Sequence, residues 1–197
     1  MINKLIASSV SVFPKWFIEL FSKSYVAGYS SNEVLSIVEK LNNKGFSATI
    51  DILGEHVKDL ETSKNITRQY CELFDNINLK SIDSNISVKP THVGLDISKN
   101  VALENFNEII DIAKEKSNFL RIDMESSDNT DDTFEIYNSL KNKYTGVGVV
   151  LQAYLKRSIN DIKNLSGPKF NARICKGIYK EDSEIAYKEK DMINSNF

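Results

Sequence analysis

The chain has 197 residues, 41% hydrophobic and 26% charged, a composition that suits a globular protein with a sizeable core. Its formal net charge of -2 gives no overall basic field and excludes nucleic acid as the expected partner. Cys71 and Cys175 form no CxxC pair, so neither a zinc site nor a disulfide framework is expected, and a cytoplasmic location fits.

In chain order, Leu5 to Phe13 is an apolar run too short to span a bilayer, interrupted by serines and closed by Pro14. It lacks a small-residue cleavage site and does not read as a signal peptide. From Pro14, the spacing of Phe17, Leu20, Phe21 and Tyr25 predicts an amphipathic helix that stops at Gly28. Ser30 and Ser31 offer an N-cap for a second helix, with Val34, Leu35, Val38 and Leu41 on its apolar stripe. Residues 1–45 thus read as an N-terminal helical region.

After Gly45 the pattern becomes a ladder. Strands are expected in FSATIDILGE, NISVKPTHVGL, NFLRIDMES, VGVVLQAY and FNARICKG. Helices are expected over Ile66–Leu79, Val101–Lys116, Thr133–Tyr144 and Ile159–Leu165, with another starting at Ser183. Such alternation implies parallel strands. A doubly wound dinucleotide fold wants a GxGxxG between an early strand and a helix, and none is present; Gly146 and Gly148 precede a strand and read as the turn into it. A barrel instead puts polar residues at strand ends, as Asp51, Lys89, Asp123, Gln152 and Arg173 do. The expected fold is α/β, a (β/α)8 TIM-like barrel over residues 46–197. Because a complete barrel takes about 250 residues, with about five of its eight strands present here, it is expected to be incomplete.

The strand ends suggest chemistry. Lys89 suits a substrate carboxylate, or a Schiff base if desolvated. Asp123 is expected near Lys89 as its electrostatic partner, on a face shared with Arg121 and Glu125. Gln152 can both donate and accept, which suits a heterocycle such as a flavin ring. Arg173 suits an anionic reduced flavin, and Lys176 with the Gly177 backbone suits a phosphate. Asp128, Asp131 and Asp132 lack the glycine and terminal glutamate of a calcium loop and are expected to cap a helix; no metal is expected. His56 and His92 read as surface or turn residues.

Five ordered segments, DILGE (51–55), SVKPTHVGL (87–95), RIDMES (121–126), VVLQAYLKRS (149–158) and ARICKGIYKE (172–181), resemble the proline dehydrogenase family. The resemblance runs from about Tyr25 onward. It implies oxidation of L-proline to Δ1-pyrroline-5-carboxylate, with hydride passing to N5 of FAD and electrons continuing to a quinone, and it allows peripheral contact with the inner face of a membrane. It also implies roles: Lys89 binds the proline carboxylate, Asp123 is the acid beside it, and Tyr179 lines the substrate pocket. Met124, Gln152, Arg173 and the segment Lys176, Gly177, Ile178 contact the cofactor, with Arg173 near the reactive edge. Pro90, His92 and Cys175 depart from the residues common in the family. The family's later Thr-His pair and paired arginines are expected to be missing.

Two alternatives stand beside this reading. One is a Schiff-base barrel lyase using Lys89 or Lys176. The other is an inactive half-barrel that needs a partner chain, since open strand edges favour self-association.

Overall fold

In a computed structural model the described residues are 26–197; the helix expected from Pro14 lies largely outside them. The chain divides into two compact units at Ser47/Ala48.

In the first unit, helix α1 (Ser31–Asn42) starts where Ser30 accepts a hydrogen bond from the Glu33 N–H, and it buries Leu35 and Val38. The capping hydroxyl satisfies one of the donors a helix start leaves open.

The second unit is a five-stranded, all-parallel sheet with strands in sequence order, curled into a half-barrel and alternating with helices. Its elements are β1 (Ala48–Ile50), α2 (Leu60–Leu79), β2 (Ser84–Val88), α3 (Lys99–Glu115), β3 (Leu120–Ile122), α4 (Thr130–Lys143), β4 (Val147–Gln152), α5 (Ser158–Leu165), β5 (Ala172–Cys175) and α6 (Lys190–Asn196). The expected ladder is present. Neighbouring α/β units packed this way follow from parallel strands whose crossovers are helices.

Register sorts the side chains into two faces. Thr49 lies beside Asn85, Ser87 beside Arg121, Arg121 beside Gly148, and Val150 beside Arg173. These line the concave face, and alternation carries Gln152 and Cys175 onto it. The intervening Ile50, Ile86, Val88, Leu120, Ile122, Val149 and Leu151 are buried on the opposite face. There they meet helix residues at helical spacing: Tyr70, Leu73, Phe74 and Ile77 of α2, Phe106, Ile109 and Ile110 of α3, and Phe134, Tyr137 and Leu140 of α4. Each such side chain contributes roughly 1.5–3 kcal/mol by leaving water, so this layer holds the strands in register.

Several boundaries differ from expectation for physical reasons. Helix α2 begins six residues before Ile66, because Asp59 caps it by accepting from the Thr62 N–H and its first turns bury Ser63 and Thr67 rather than apolar residues. The helix expected from Ser183 begins instead at Lys190; residues before it turn on Asp182, and Ala186 bridges to Leu155. Asp131 and Asp132 do not cap α4. Its cap position is Asn129, and the two aspartates lie in the first turn, paired with Arg157 and Lys99. Negative charge there is favoured by the helix dipole.

Gly148 lies inside β4, not in the turn before it. A Cβ on Gly148 would come within 2.2 Å of Arg121 Nη1 and 2.7 Å of Phe119 Cζ. Arg121, stacked 4.7 Å above the Phe119 ring and donating to the Val149 carbonyl, takes that space. His92 is buried rather than superficial: its Nδ1 lies 3.2 Å from the Tyr70 hydroxyl, and its ring fills the room that a side chain on Gly54 would need.

Candidate active site

The carboxyl ends of the strands gather most of the polar residues singled out above. Lys89 follows β2, Asp123 follows β3, Gln152 ends β4, and Arg173 lies within β5. Parallel sheets present these ends to ligands.

Asp123 and Lys89 are not partners. Asp123 Oδ1 accepts from Ser87 Oγ at 2.6 Å and from Arg173 Nη2 at 2.5 Å. Lys89 Nζ donates instead to Glu55 Oε2 at 2.9 Å, and the Tyr179 hydroxyl lies 3.4 Å from the same oxygen. The geometric reason is the loop after β1. It carries Glu55 over the end of β2, so the lysine finds a carboxylate there, while Ser87 of the adjacent β2 and Arg173 of β5, reaching across β4, converge on Asp123.

The site therefore holds two charge clusters, one of Lys89, Glu55 and Tyr179, the other of Asp123, Arg173 and Ser87. Asp51 sits with them at the end of β1. Loss of solvation raises its carboxyl above the usual range, and the Asp123 charge raises it further. Loss of solvation lowers the Lys89 ammonium, but Glu55, with help from Glu125 and Asp51, outweighs it and holds the group above the ordinary lysine value. The hydrogen bond from Lys89 holds Glu55 below the usual carboxylate range. Burial raises the Tyr179 hydroxyl, as do the neighbouring carboxylates of Glu125 and Glu55. The phenol therefore stays protonated.

The remaining predicted residues have varied settings. Gln152 is buried, and its Nε2 donates to the Glu125 carbonyl at 2.8 Å. Met124 is buried as well. Arg173 is half-exposed beside Asp123. Lys176 Nζ donates to Asn194 Oδ1 at 2.6 Å, and Ile178 is 89% exposed. Gly177 has φ +109°, and a Cβ there would stand 2.2 Å from the Tyr154 ring. The turn after β5 thus lies flat on that ring, which carries the Lys176 and Ile178 backbone with it.

Residues outside the predicted set complete the rim. Glu125, 1% exposed, accepts from the Thr91 N–H at 2.8 Å and the Thr91 hydroxyl at 2.5 Å. Burial raises its carboxyl, and the Thr91 donors work against that rise. Glu55 and Ser87 also went unidentified as site residues. Alternation from Arg121 through Asp123 to Glu125 was the signal for Glu125, and the position of Glu55 within DILGE was the signal for that residue.

Among the described residues no group of three or more His, Cys, Asp or Glu side chains is placed to hold a metal ion, and no helix is long and apolar enough to cross a membrane.

Comparison with known proteins places this geometry in context. A family model described as proline dehydrogenase matches residues 34–194. Proline dehydrogenase 1 of Bacillus subtilis subsp. natto is 34% identical over 171 residues, covering 87% of this chain and 57% of that protein. Proline dehydrogenase of Deinococcus radiodurans is 30% identical, with 89% of this chain and 58% of that protein covered. This chain thus spans less than two thirds of the length of these relatives. Among solved structures, proline utilization A from Bdellovibrio bacteriovorus, inactivated by N-propargylglycine, superposes with a TM-score of 0.81 at 24% identity, over 89% of this chain and 23% of that one. Proline utilization A from Corynebacterium freiburgense gives a TM-score of 0.73 at 20% identity, over 98% of this chain and 23% of that one. These superpositions bear on the fold.

Proposed function

The chain belongs to the proline dehydrogenase family, and on that premise we propose that the protein carrying it oxidises L-proline to Δ1-pyrroline-5-carboxylate at a bound FAD. The observation that carries the proposal is the convergence of Lys89, Tyr179 and the Asp123–Arg173 pair at one end of a parallel sheet. That constellation offers a cation for a carboxylate and, past the end of the neighbouring strand, a carboxylate for an amine. Proline is a small zwitterion that needs both.

Lys89 binds the proline carboxylate. In the structure its ammonium is engaged by Glu55, so an arriving carboxylate displaces Glu55 or shares the lysine with it. The Tyr179 hydroxyl, kept protonated, donates at the same place. Asp123, fixed by Ser87 and Arg173, orients the substrate's ring nitrogen, and its carboxylate is available to hold the proton the nitrogen must give up.

The residues present fit a flavin by their donor set. Arg173 is half-exposed within β5, Lys176 projects from the turn laid on Tyr154, and Asp123 balances only one of these cations. In this reading Arg173 faces the reactive edge, Lys176, Gly177 and Ile178 hold the cofactor's polar tail, and Met124 and Gln152 border its ring. When bound, FAD supplies the acceptor for the hydride leaving the ring carbon next to nitrogen. Transfer of the electrons to a quinone, with peripheral contact at the inner face of the cytoplasmic membrane, completes the proposed cycle. In this reading residues 46–197 supply the barrel region.

The lyase alternative is disfavoured by Lys89 itself. A Schiff-base amine needs a depressed pKa, whereas the Glu55 ion pair holds this one up. The inactive half-barrel is disfavoured by the match to the proline dehydrogenase family over residues 34–194.

The test is dye reduction by the purified protein with FAD and L-proline. Turnover that is lost at low proline and partly regained at high proline in Lys89→Met supports the proposal. No proline-dependent reduction by the unmodified protein refutes it.

A further inference from the structure

A continuous chain of hydrogen bonds runs along the rim of the site and passes through the buried Glu125. Thr91 is its junction. The Thr91 N–H and hydroxyl both donate to Glu125, while the Thr91 hydroxyl oxygen accepts from the His56 N–H at 2.9 Å and the Thr91 carbonyl accepts from the Val57 N–H at 3.0 Å. Thr91 lies two residues past Lys89, and His56 directly follows Glu55. One residue therefore ties together the two loops that carry the Lys89–Glu55 pair. On the other side, the Glu125 backbone carbonyl accepts from Gln152 Nε2 and the Gln152 carbonyl accepts from Ser158 Oγ at 2.5 Å, anchoring the Glu125 backbone to β4 and the start of α5.

We propose that Glu125 is a positioning residue: by holding Thr91 it sets the placement of Lys89 against Glu55 across the ends of β1 and β2, and so presents the ammonium ready for a substrate carboxylate. A buried carboxylate is costly unless its oxygens are satisfied. Here both oxygens are satisfied by a single residue of a neighbouring loop, so the loop cannot move without leaving a buried charge unsatisfied. His56 has φ +58°, an unfavourable conformation for a residue with a side chain, and the bond from its N–H to Thr91 holds it there. The catalytic consequence rests on the reading of Lys89 as the carboxylate-binding lysine; the positioning itself does not.

The test uses the purified protein and reads Lys89 directly. Reaction of its amine with an acetylating reagent is timed by peptide mass spectrometry, with Glu55→Gln as the reference for an unpaired lysine. Thr91→Val removes the hydroxyl and leaves every charge in place. It is expected to speed Lys89 acetylation about fivefold, which corresponds to about 1 kcal/mol and so to one hydrogen bond. Glu125→Gln, a second variant that keeps the size of the side chain, is expected to do the same. Thr91→Ser, which keeps both donors, is expected to label like the unmodified protein. Labelling that stays at the original rate in Thr91→Val and Glu125→Gln, while Glu55→Gln accelerates it, overturns the proposal.

A kinetic arm separates this from the functional reading. Thr91→Val is expected to raise the KM for proline with kcat little changed, and to add nothing further in a Lys89→Met background. An equal rise in both backgrounds overturns positioning through Lys89. If the unmodified protein does not turn over proline, the proposed reaction fails and the labelling result alone decides the role of Glu125.

Discussion

Gly177→Ala tests how the turn after β5 is held. At φ +109° a side chain meets a backbone conformation that costs about 1–3 kcal/mol. The new methyl also stands 2.2 Å from Cδ1 and 2.5 Å from Cε1 of Tyr154, well inside contact distance. Tyr154 is itself buried, so the ring cannot swing aside without disturbing Leu155 and Ala186 beneath it. Overpacking of this kind costs a further ~1–3 kcal/mol. The sum, about 2–6 kcal/mol, is a large share of the ~5–15 kcal/mol that usually holds a domain folded. Urea unfolding measures it, and a double-mutant cycle with Tyr154→Leu divides it. With the ring shortened the steric part should vanish and the backbone part remain, leaving an interaction of about 1–3 kcal/mol between the two positions. Strict additivity would refute the claim that Tyr154 is the obstacle. An alanine tolerated within about 0.5 kcal/mol would refute the claim of strain altogether.

Other expectations follow from the site and the core. Asp123→Asn removes the charge that repels Asp51 and should lower the Asp51 pKa while leaving it above the ordinary value, since desolvation persists; a carboxyl NMR titration showing no fall contradicts this. Burial, and then the charge of Lys89, hold the His92 imidazole below its usual pKa, so the unfolded chain binds its proton more readily than the folded one. Stability from this residue is then present above the unfolded value of about 6.5 and is lost as pH falls through the folded one. His92→Gln should flatten the acid side of the stability profile in urea unfolding, and an unchanged slope counts against it. Phe74→Ala, at a fully buried position of α2, should cost ~3–5 kcal/mol in the same assay.

The order of strands and the residues at their ends could be read from the chain because they rest on local patterns. NISV and VGVVLQ are apolar runs closed by polar residues, and Lys89, Asp123 and Gln152 lie where those runs stop. Pairings could not be read in this way. Whether Asp123 meets Lys89 or Arg173 depends on where a loop from another strand sends Glu55, and nothing local to either residue encodes that. Gly148 looked like a turn glycine because its reason for being a glycine, the Arg121 guanidinium over Phe119, sits on the neighbouring strand. His92 reads as a surface residue for a similar reason: its burial depends on Tyr70, 22 residues away on α2. Helix α2 began early because its opening turns bury Ser63 and Thr67, which carry no apolar periodicity.

The central claim is that the strand ends form a proline-oxidising flavin site, and anaerobic addition of L-proline to the purified protein with FAD tests it most directly. Bleaching of the bound flavin's visible absorbance by L-proline, weakened in Lys89→Met and absent with a proline analogue lacking the carboxylate, is the predicted result. A protein that binds no flavin, or whose bound flavin stays oxidised in excess L-proline, would contradict it.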